Sequence, residues 1–437
     1  MSTAERRAVP RSLGDDAYRL IEEVMPYPRS ITGNGVRQTL EVVRARVPLQ
    51  VTEVPTGTAV LDWTVPREWN VREAWIAGPD GQRVLDFAQS NLHLVGYSTP
   101  VRARMSLAEL RPHLHSLPDR PNLVPYRTSY YVEAWGFCLS DRQLEQLPDG
   151  EYDVCIDASL TDGALTYGEL LVPGSSADEV LVSTHVCHPS MANDNLSGIA
   201  LATLLAEHLG SRDSRYSYRF LFVPGTIGSI TWLARNQDGA DRIAHGLVLT
   251  GLGDAGSPTY KRSRRGNAVI DRAAEHVLRS SGQPVNVIDF YPYGYDERQY
   301  CSPGFNLPVG RLGRSPHGEY PEYHTSGDDL SFVHPDSLQD SWDLLVGIID
   351  VLERDGTYLS RNPFGEPQLG RRGLYRSIGA ATDRAAAEMA LLWVLNLADG
   401  AHSLLDVAER SGLTFAAVAD AARSLISADL LEFAPAS

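Results

Sequence analysis

Cysteines are few in this sequence and none lie close together, which argues against a disulfide-stabilised secreted protein. The four cysteines are Cys138, Cys155, Cys187 and Cys301. The first residues, MSTAERRAVPRS, lack the apolar stretch of a signal peptide. Apolar runs such as Leu344–Leu352 are too short to cross a bilayer. We therefore expect a cytoplasmic protein with no membrane partner.

Positive charge is also scarce. The 39 lysine and arginine residues face 55 aspartates and glutamates, which gives a formal net charge of -16. Such a surplus repels phosphate backbones, so we expect no nucleic-acid partner. The apolar fraction of 43% and charged fraction of 22% are those of an ordinary globular protein. At 437 residues, the chain is expected to form more than one domain.

Short apolar runs alternate with amphipathic segments between about residues 175 and 355. The runs that predict strands are Val180–Ser183, Tyr218–Val223, Gly246–Thr250 and Val285–Phe290. The segments that predict helices, with apolar residues every three or four positions, are Leu196–Leu209, Ala268–Arg279 and Leu338–Glu353. This alternation indicates an α/β fold with a mixed, mostly parallel sheet flanked by helices. Ligands should gather at the carboxyl ends of its strands.

Residues 59–158 have a different pattern. Short alternating segments such as Tyr130–Trp135 and Tyr152–Ile156 are punctuated by proline and glycine, and the region holds four of the seven tryptophans. We predict an inserted β-rich domain here. The α/β core is then discontinuous and comprises residues 1–58 and 159–360, because helical patterns at Ala17–Met25 and Gly35–Ala45 precede the insert.

The C-terminal region predicts a winged helix in residues 374–437, after a linker rich in proline, glycine and arginine. The elements are helices at Asp383–Leu397, Ser403–Ser411 and Phe415–Ala428 and a strand at Leu430–Phe433. Winged helices commonly bind DNA, but residues 380–437 contain eight acidic and only three basic residues. Because phosphate contact would be repelled, we expect a packing or protein-interaction module.

The segment VLVSTHVCHPSMANDNLSG carries the strongest chemical signal. A predicted strand runs into His185, a turn holds His188, and Asp194 and Asn195 precede a helix. Imidazole and carboxylate groups are natural zinc ligands, and each would need a partner if buried. The alternative is that Asp194 or Asn195 only caps the helix that follows.

Two later segments favour the metal site. Asp254 lies just past the strand Gly246–Thr250 in GLGDAG, and His324 lies in the polar loop EYHTSGDDL. Strand ends of one α/β core can converge on one cleft. We therefore predict that His185, Asp194, Asp254 and His324 bind one or two zinc ions.

These motifs occur in an order that resembles the zinc aminopeptidase superfamily. The segments are THVCHPSMANDNLSG, GDAG, YDERQYCSPGFNLPVG and EYHTSGDDL. Nearly the whole chain is similar to a bacterial family of aminopeptidase-like proteins with an inserted β domain and a C-terminal winged helix. Further segments that carry this resemblance are YPRSITGNGVRQTL, DWTVPREWNVREAW, SNLHLVGYSTPV and PYRTSYYVEAWGFCLS.

The resemblance implies roles for single residues. His185 and Asp254 would be terminal ligands of the first metal, Asp194 the carboxylate that bridges two metals, and His324 a ligand of the second. Asp296, in YDER, would be an acid beside the site that fixes a ligand tautomer or the substrate amine. For His188 we favour a supporting role over direct ligation. Cys187 is predicted to fill apolar space, with metal binding as the alternative.

One departure from the family pattern concerns the general base. Active superfamily members carry adjacent glutamates after the strand that corresponds to Arg219–Val223, whereas this chain has Gly225 and Thr226. Loss of a positioned base typically costs about 10²–10⁴-fold in rate. A replacement base could come from the nearby matched loops. The candidates there are Glu297, Glu319 and Glu322.

Three functions therefore stay open. The first is a zinc-dependent aminopeptidase-like hydrolase that acts on an amide or peptide bond of a small molecule or short peptide. The second is a non-hydrolytic acyltransferase or cyclase in small-molecule biosynthesis, and the third is an inactive binding or scaffold protein. A homo-oligomer stays open in each case.

Substrate recognition is predicted in two segments. The basic run KRSRR follows Asp254, and Lys261 and Arg264 could bind a substrate carboxylate or phosphate. The aromatic segment FYPYGY places Tyr293 and Tyr295 where they could line a pocket. The alternatives are a solvated loop for the basic run and core packing for the tyrosines.

Overall fold

A computed structural model describes residues 12–374 and 384–434. Within these residues the contacts divide the chain into two units, residues 1–266 with 286–342 and residues 267–285 with 343–437. No helix among the described residues is long and apolar enough to cross a membrane.

The first unit is built on an eight-stranded mixed sheet in the order β1-β10-β12-β11-β13-β16-β14-β15. Its strands are β1 (Gln50–Pro55), β10 (Ala164–Val172), β11 (Glu179–His185), β12 (Ser217–Val223), β13 (Ile243–Leu249), β14 (Thr259–Lys261), β15 (Asn286–Ile288) and β16 (Val309–Gly313). The central strand β11 pairs in parallel with β12 and β13, and β13 pairs in parallel with β16. The predicted fold class is confirmed.

Five helices accompany this sheet. Four of them contact its strands, and the first in sequence packs mainly on residues 192–210. The five helices are α1 (Leu13–Val24), α2 (Asn34–Arg44), α5 (Gly198–Gly210), α6 (Ile227–Arg235) and α8 (Glu297–Tyr300). Helix α5, GIALATLLAEHLG, is buried along most of its length, as its apolar sequence requires. The helix α9 (Pro335–Arg354) starts in the first unit and ends in the second.

The insert contains a four-stranded antiparallel sheet in the order β5-β4-β9-β6. Its strands are β4 (Glu68–Ala77), β5 (Arg83–Asp86), β6 (Val101–Ser106) and β9 (Glu151–Thr161), with smaller pairs formed by β2 (Ala59–Val60), β3 (Trp63–Thr64), β7 (Leu114–His115) and β8 (Phe137–Cys138). Two short helices accompany them, α3 (Leu107–Leu110) and α4 (Asp141–Glu145). Strand β9 continues three residues past the predicted end of the insert at residue 158.

The predicted alternating segment Tyr130–Trp135 is not a strand. Tyr130 has a φ of +38°, which breaks an extended run, and a turn and loop follow. The Tyr130 hydroxyl instead lies 3.0 Å from that of Tyr126. The apolar alternation of this segment therefore reflects packing of aromatic rings in a loop.

The second unit contains the winged helix. Its elements are the helix α7 (Val269–Ser280), the end of α9, the helices α10 (Arg384–Leu397), α11 (Leu404–Ser411) and α12 (Phe415–Ser427), and the strands β17 (Thr357–Ser360), β18 (Asp399–Ser403) and β19 (Leu431–Phe433). The three predicted C-terminal helices match α10–α12 closely. Strand β17 pairs with both β18 and β19, so the small sheet includes residues that we assigned to the core.

Helix α7 also belongs to the second unit, although its pattern was taken as part of the α/β core. Arg272 forms ion pairs with Asp406 and Glu409 of α11, and His276 Nε2 accepts a hydrogen bond from the Phe415 amide. Amphipathic spacing identifies the buried face of a helix, but it does not say which neighbour buries that face.

Candidate metal centre

Strand β11 delivers His185 to the end of the sheet, where it meets the turn that carries Asp194. His185 Nε2 lies 2.9 Å from Asp194 Oδ1, and His324 Nε2 lies 3.1 Å from Asp194 Oδ2. Ligand atoms of His185, His188 and Asp194 all lie within 4.8 Å of one another. Asp194 is therefore surrounded by three imidazoles, from strand β11, the following loop and the loop before α9.

Burial and charge prepare these groups to bind a cation. Burial opposes ionisation of Asp194, but the adjacent imidazoles of His188, His185 and His324 hold the pKa of its carboxyl well below its usual range. Burial holds the pKa of His188 well below that of a free imidazole, so its ring is neutral and can donate a lone pair. Two imidazoles and one carboxylate are a donor set that zinc accepts.

Asp254 does not join this group, and the predicted ligand set needs correction. Its Oδ2 accepts a hydrogen bond of 2.9 Å from Asn193 Nδ2, and its Oδ1 accepts bonds of 2.6 Å from Ser315 Oγ and 2.7 Å from the Gly256 amide. These donors occupy the carboxylate that we expected to bind metal. His188 takes its place in the group of mutually close ligand atoms, in a more direct position than the supporting role we favoured.

Asp328 supports the turn that holds Asp194 and was not singled out from the sequence. Its Oδ1 accepts a 2.6 Å hydrogen bond from the Asn193 amide, and its Oδ2 accepts one of 2.9 Å from the Asp194 amide. Burial raises the pKa of Asp328 to about 8. The sequence clue to Asp328 is the segment GDDL, which is separated from His324 by two residues. The Asp194–Asn195 peptide is cis.

Two further residues hold the histidines in place. The Arg29 guanidinium, from the segment YPRS, donates a 2.8 Å hydrogen bond to the His188 carbonyl. Tyr126, from the insert, lies against both His188 and His324, with ring centroids 5.3 and 5.2 Å away. His324 itself has a φ of +52°, a conformation that needs such support in a residue other than glycine. The insert therefore forms one wall of the cluster.

The Asp296 carboxylate lies next to Gly225 and His185. A Cβ atom added to Gly225 would lie 3.2 Å from His185 Cβ and 3.5 Å from Asp296 Oδ2. Asp296 is fully buried; its Oδ1 accepts a 2.7 Å hydrogen bond from Ser229 Oγ, and its Oδ2 is unpartnered among the described residues. Burial raises the pKa of Asp296 to about 6, so this carboxyl can exchange a proton near neutral pH.

The other predicted acids are placed differently. Glu297 is buried, and its Oε1 lies 2.9 Å from Lys261 Nζ, while its Oε2 has no hydrogen-bond partner among the described residues. The ion pair with Lys261 favours its ionised form and makes it a weaker base. Glu322 is half-buried, and its Cγ lies beside Gly327. Glu319 is exposed. Neither Glu319 nor Glu322 belongs to the group of mutually close ligand atoms found among the described residues.

Lys261 is the only lysine in the sequence, and it is fully buried. Its Nζ donates to the Tyr293 carbonyl at 2.7 Å and lies 4.0 Å from the centroid of the Tyr291 ring. All these contacts join it to residues 290–297, so we correct its predicted role from substrate binding to fastening this loop. Arg264 is exposed and donates to Asn306 Oδ1, away from the cluster.

Tyrosine rings cover the histidines. Tyr295 is stacked on His185 with a centroid distance of 4.8 Å, and Tyr323 is stacked on His324 at 3.9 Å. Tyr295 thus lies against a candidate metal ligand, and its role in substrate binding stays a prediction. Tyr293 is 66% exposed and lies 5.4 Å from the His317 ring, so it stands at the rim. Burial raises the pKa of Cys187, which fits an apolar filler.

A cavity of about 230 Å³ opens beside Gly225. Its walls include Ile31, Ile227 and Ile230 from the core, Trp63 and Tyr130 from the insert, and Arg298. The space next to the missing side chain is therefore accessible to a small molecule and mostly apolar.

The chain is similar to two sequence families and to a named relative. Residues 18–355 match a sequence family described as "Domain of unknown function (DUF4910)", and residues 356–433 match one described as "winged helix-turn-helix". A Clostridium acetobutylicum protein named "Putative polysaccharide biosynthesis protein with aminopeptidase-like domain" is 50% identical over 419 residues, 96% of each chain.

Two solved structures are also similar. One is called a "putative peptidase" from Clostridium acetobutylicum and has a TM-score of 0.92 with 48% identity over 96% of both chains. The other, BSAP, a zinc aminopeptidase from Bacillus subtilis, has a TM-score of 0.56 with 13% identity over 79% of this chain and 96% of its own. The expected zinc aminopeptidase-like fold and C-terminal winged helix are therefore confirmed, and the chain belongs to the family described as Domain of unknown function (DUF4910).

Proposed function

We propose that this chain is a zinc-dependent, aminopeptidase-like enzyme that acts on an amide or peptide bond of a small molecule or short peptide. The observation that carries the proposal is the position of Asp296. It places a buried carboxylate with an unpartnered oxygen opposite Gly225 and beside His185. A base is thereby available although the family's glutamate is absent.

The donor set fits zinc. His185, His188 and Asp194 would hold one ion, with His324 on the second oxygen of Asp194 as a further ligand. Zinc bound there would act as a Lewis acid that polarises the scissile carbonyl. The neutral state of His188 and the ionised state of Asp194 are those that metal ligation requires.

Asp296 would handle the proton. Its Oδ2 accepts a proton from the attacking nucleophile and returns it to the leaving amine, while Ser229 Oγ holds Oδ1 in a fixed orientation. Tyr295, stacked on His185, limits the access of bulk water to this side of the site. The small apolar cavity beside Gly225 would accept part of the substrate.

The test combines metal content with turnover. Protein reconstituted with zinc and washed is expected to retain the metal in elemental analysis and to cleave members of a panel of aminoacyl anilides. Asp296→Asn should keep the zinc but lower kcat by about 10²–10⁴-fold. Glu319→Gln, which changes an exposed carboxylate near the site, is the matched control and should stay within about twofold of the parent.

Two results would overturn the proposal. If the protein does not retain zinc, the proposed metal centre is wrong. If Asp296→Asn keeps full activity, Asp296 is not the base. Retained zinc without turnover on any substrate, even with an amine acceptor present, would favour the inactive binding protein instead.

A second candidate is acyl transfer to an amine. The absence of a glutamate at Gly225 favours it, because no water need then be activated, and so does the relative whose name places it in polysaccharide biosynthesis. It predicts product from an acyl donor only when an amine acceptor is added. Comparing turnover with and without the acceptor in the zinc-loaded protein separates it from hydrolysis.

A further inference from the structure

Arg311 is a buried cation that forms no ion pair with any carboxylate of the described residues, and the Tyr295 ring lies between it and His185. It lies on strand β16 and is only 3% exposed. Its Nη1 donates a 2.7 Å hydrogen bond to His317 Nδ1, while its Nε is buried and has no hydrogen-bond partner among the described residues. Arginine almost never stays buried without a carboxylate or several acceptors.

The other buried arginines of the described chain do find such partners. Arg314 forms an ion pair of 2.7 Å with Asp340. Arg29 donates to the carbonyl oxygens of Val24 and His188. Arg311 is different because its one acceptor is an imidazole.

The charges around Arg311 do not cancel. Lys261 stands directly opposite Arg311 in the antiparallel pair β14–β16, so both side chains lie on one face of the sheet. Glu297 neutralises Lys261. Burial and the nearby Arg311 lower the pKa of His317 to about 4, so its ring is neutral at pH 7. Lys261 and Glu297 therefore cancel each other, and no carboxylate of the described residues forms an ion pair with Arg311. The further carboxylate that acts on His317 is that of Asp194, the proposed metal ligand.

The positive charge of Arg311 faces the proposed active site. The Arg311 guanidinium carbon lies 5.7 Å from the centroid of the Tyr295 ring, and that ring is stacked on His185. His317, which holds the guanidinium, lies 5.3 Å from the Tyr295 ring and 6.3 Å from that of Tyr323. The rings that cover the metal ligands are thus the same rings that surround the unpaired cation.

We propose that Arg311 and His317 form an anion subsite that binds a carboxylate carried by the substrate. The subsite rests on the proposed function, since it lies beside the metal centre defined there. One uncompensated charge matches a monoanionic carboxylate, whereas a phosphate monoester carries nearly two charges at neutral pH. A guanidinium can donate two parallel hydrogen bonds to a carboxylate, and burial strengthens them.

Paired zinc-binding probes test the subsite without turnover. The monohydroxamates of succinate, glutarate and adipate each carry a free carboxylate, and the neutral hydroxamates with the same number of carbons lack it. Titration calorimetry on the zinc-loaded protein gives a Kd for each compound. For at least one chain length we expect the carboxylate compound to bind about tenfold more tightly or better, as for a charge-assisted hydrogen bond.

Arg311 variants then assign the preference. Arg311→Met should abolish it while the neutral hydroxamate still binds within about twofold of the parent, which also shows that fold and metal are intact. Arg311→Lys should keep part of it, because the charge remains but the paired donors are lost. The comparison within the parent protein stands even if Arg311→Met does not fold.

Three outcomes would overturn the subsite. Equal binding of both members of every pair in the parent protein would show that no carboxylate is recognised. A preference that survives Arg311→Met would assign recognition to another cation. If neither class of hydroxamate binds, the zinc centre itself is wrong, and the subsite falls with the proposed function.

Discussion

Removal of the Ser229 hydroxyl should shift the pH dependence of the reaction, because that hydroxyl touches the proposed base. Ser229 Oγ lies 2.7 Å from Asp296 Oδ1 and stabilises the ionised carboxylate. A hydrogen bond to a charged group contributes about 1.5–3 kcal/mol, and 1.36 kcal/mol corresponds to about one pKa unit. Loss of the full bond would therefore raise the pKa of Asp296 by about one to two units.

The lower end of this range applies to Ser229→Ala. The hydroxyl has a single hydrogen, and Ser229 Oγ also lies 2.8 Å from the Thr226 carbonyl, so the two acceptors share it. We expect the acid limb of kcat/KM to move to higher pH by about one unit. Bound zinc lowers the absolute pKa of Asp296, because a nearby cation favours the carboxylate, but it acts equally on parent and variant.

The assay is kcat/KM of zinc-loaded protein from about pH 5 to 9, which reports the ionisations of the free enzyme. Thr231→Ala is the matched control, because its hydroxyl lies on the same helix but donates only to the Ile227 carbonyl. Its acid limb should stay within about 0.2 unit of the parent. The assignment of Asp296 as the base would be refuted if the acid limb of kcat/KM in Ser229→Ala stayed at the pH of the parent. It would also be refuted if Asp296→Asn showed the same acid limb as the parent.

Three further predictions concern stability and metal binding. Burial raises the pKa of Asp296 from 3.8 to about 6, so its contribution to stability is present below about pH 4 and is lost as pH rises through 6. Metal-free Asp296→Asn should therefore gain on the order of 3 kcal/mol over the parent at pH 8 but not at pH 4 in urea unfolding. His188→Ala should weaken zinc binding by more than about 100-fold, measured by competition with a chelator. Asp254→Asn should weaken it by less than about 100-fold, because Asp254 lies outside the proposed ligand set. An equal loss of zinc affinity in the two variants would indicate that Asp254 is a ligand. Lys261→Met should cost about 3–5 kcal/mol of unfolding free energy because it leaves Glu297 buried and unpaired, and adding Glu297→Gln should recover part of it.

Much of the core could be predicted because its strands are simple in pattern. The run Val180–Ser183 lies within β11, and Tyr218–Val223 within β12, since buried parallel strands are continuously apolar. The loop at Tyr130–Trp135 could not be predicted, because its alternation of aromatic and other residues is also typical of a strand, although residues 131–134 are exposed. The assignment of α7 to the second unit also needs the structure, as it depends on the pairing of Arg272 with two acids of another helix.

The site shows a similar limit. Residue type and sequence position predict that His185, Asp194 and His324 share one cleft, and in the structure both histidines lie within hydrogen-bond distance of Asp194. The choice between Asp254 and His188 depends on something that no motif shows, which is whether a carboxylate oxygen is already occupied. Ser315 and Asn193, distant in sequence, occupy that of Asp254. The same holds for Glu297, whose partner is 36 residues away.

The loop of residues 290–297 determines where Asp296 lies relative to Gly225. This loop brings the ring of Tyr295 over His185, the carboxylate of Asp296 toward Gly225, and Glu297 to the buried Lys261. A lysine serves there because its compact ammonium can donate to Glu297 and to a loop carbonyl while it packs on aromatic rings, whereas a planar guanidinium would need more room. If the chemistry depends on Asp296, the ion pair that fastens its loop determines where that carboxylate lies. Lys261→Arg would then lower kcat without loss of bound zinc, although neither atom of the pair touches the substrate.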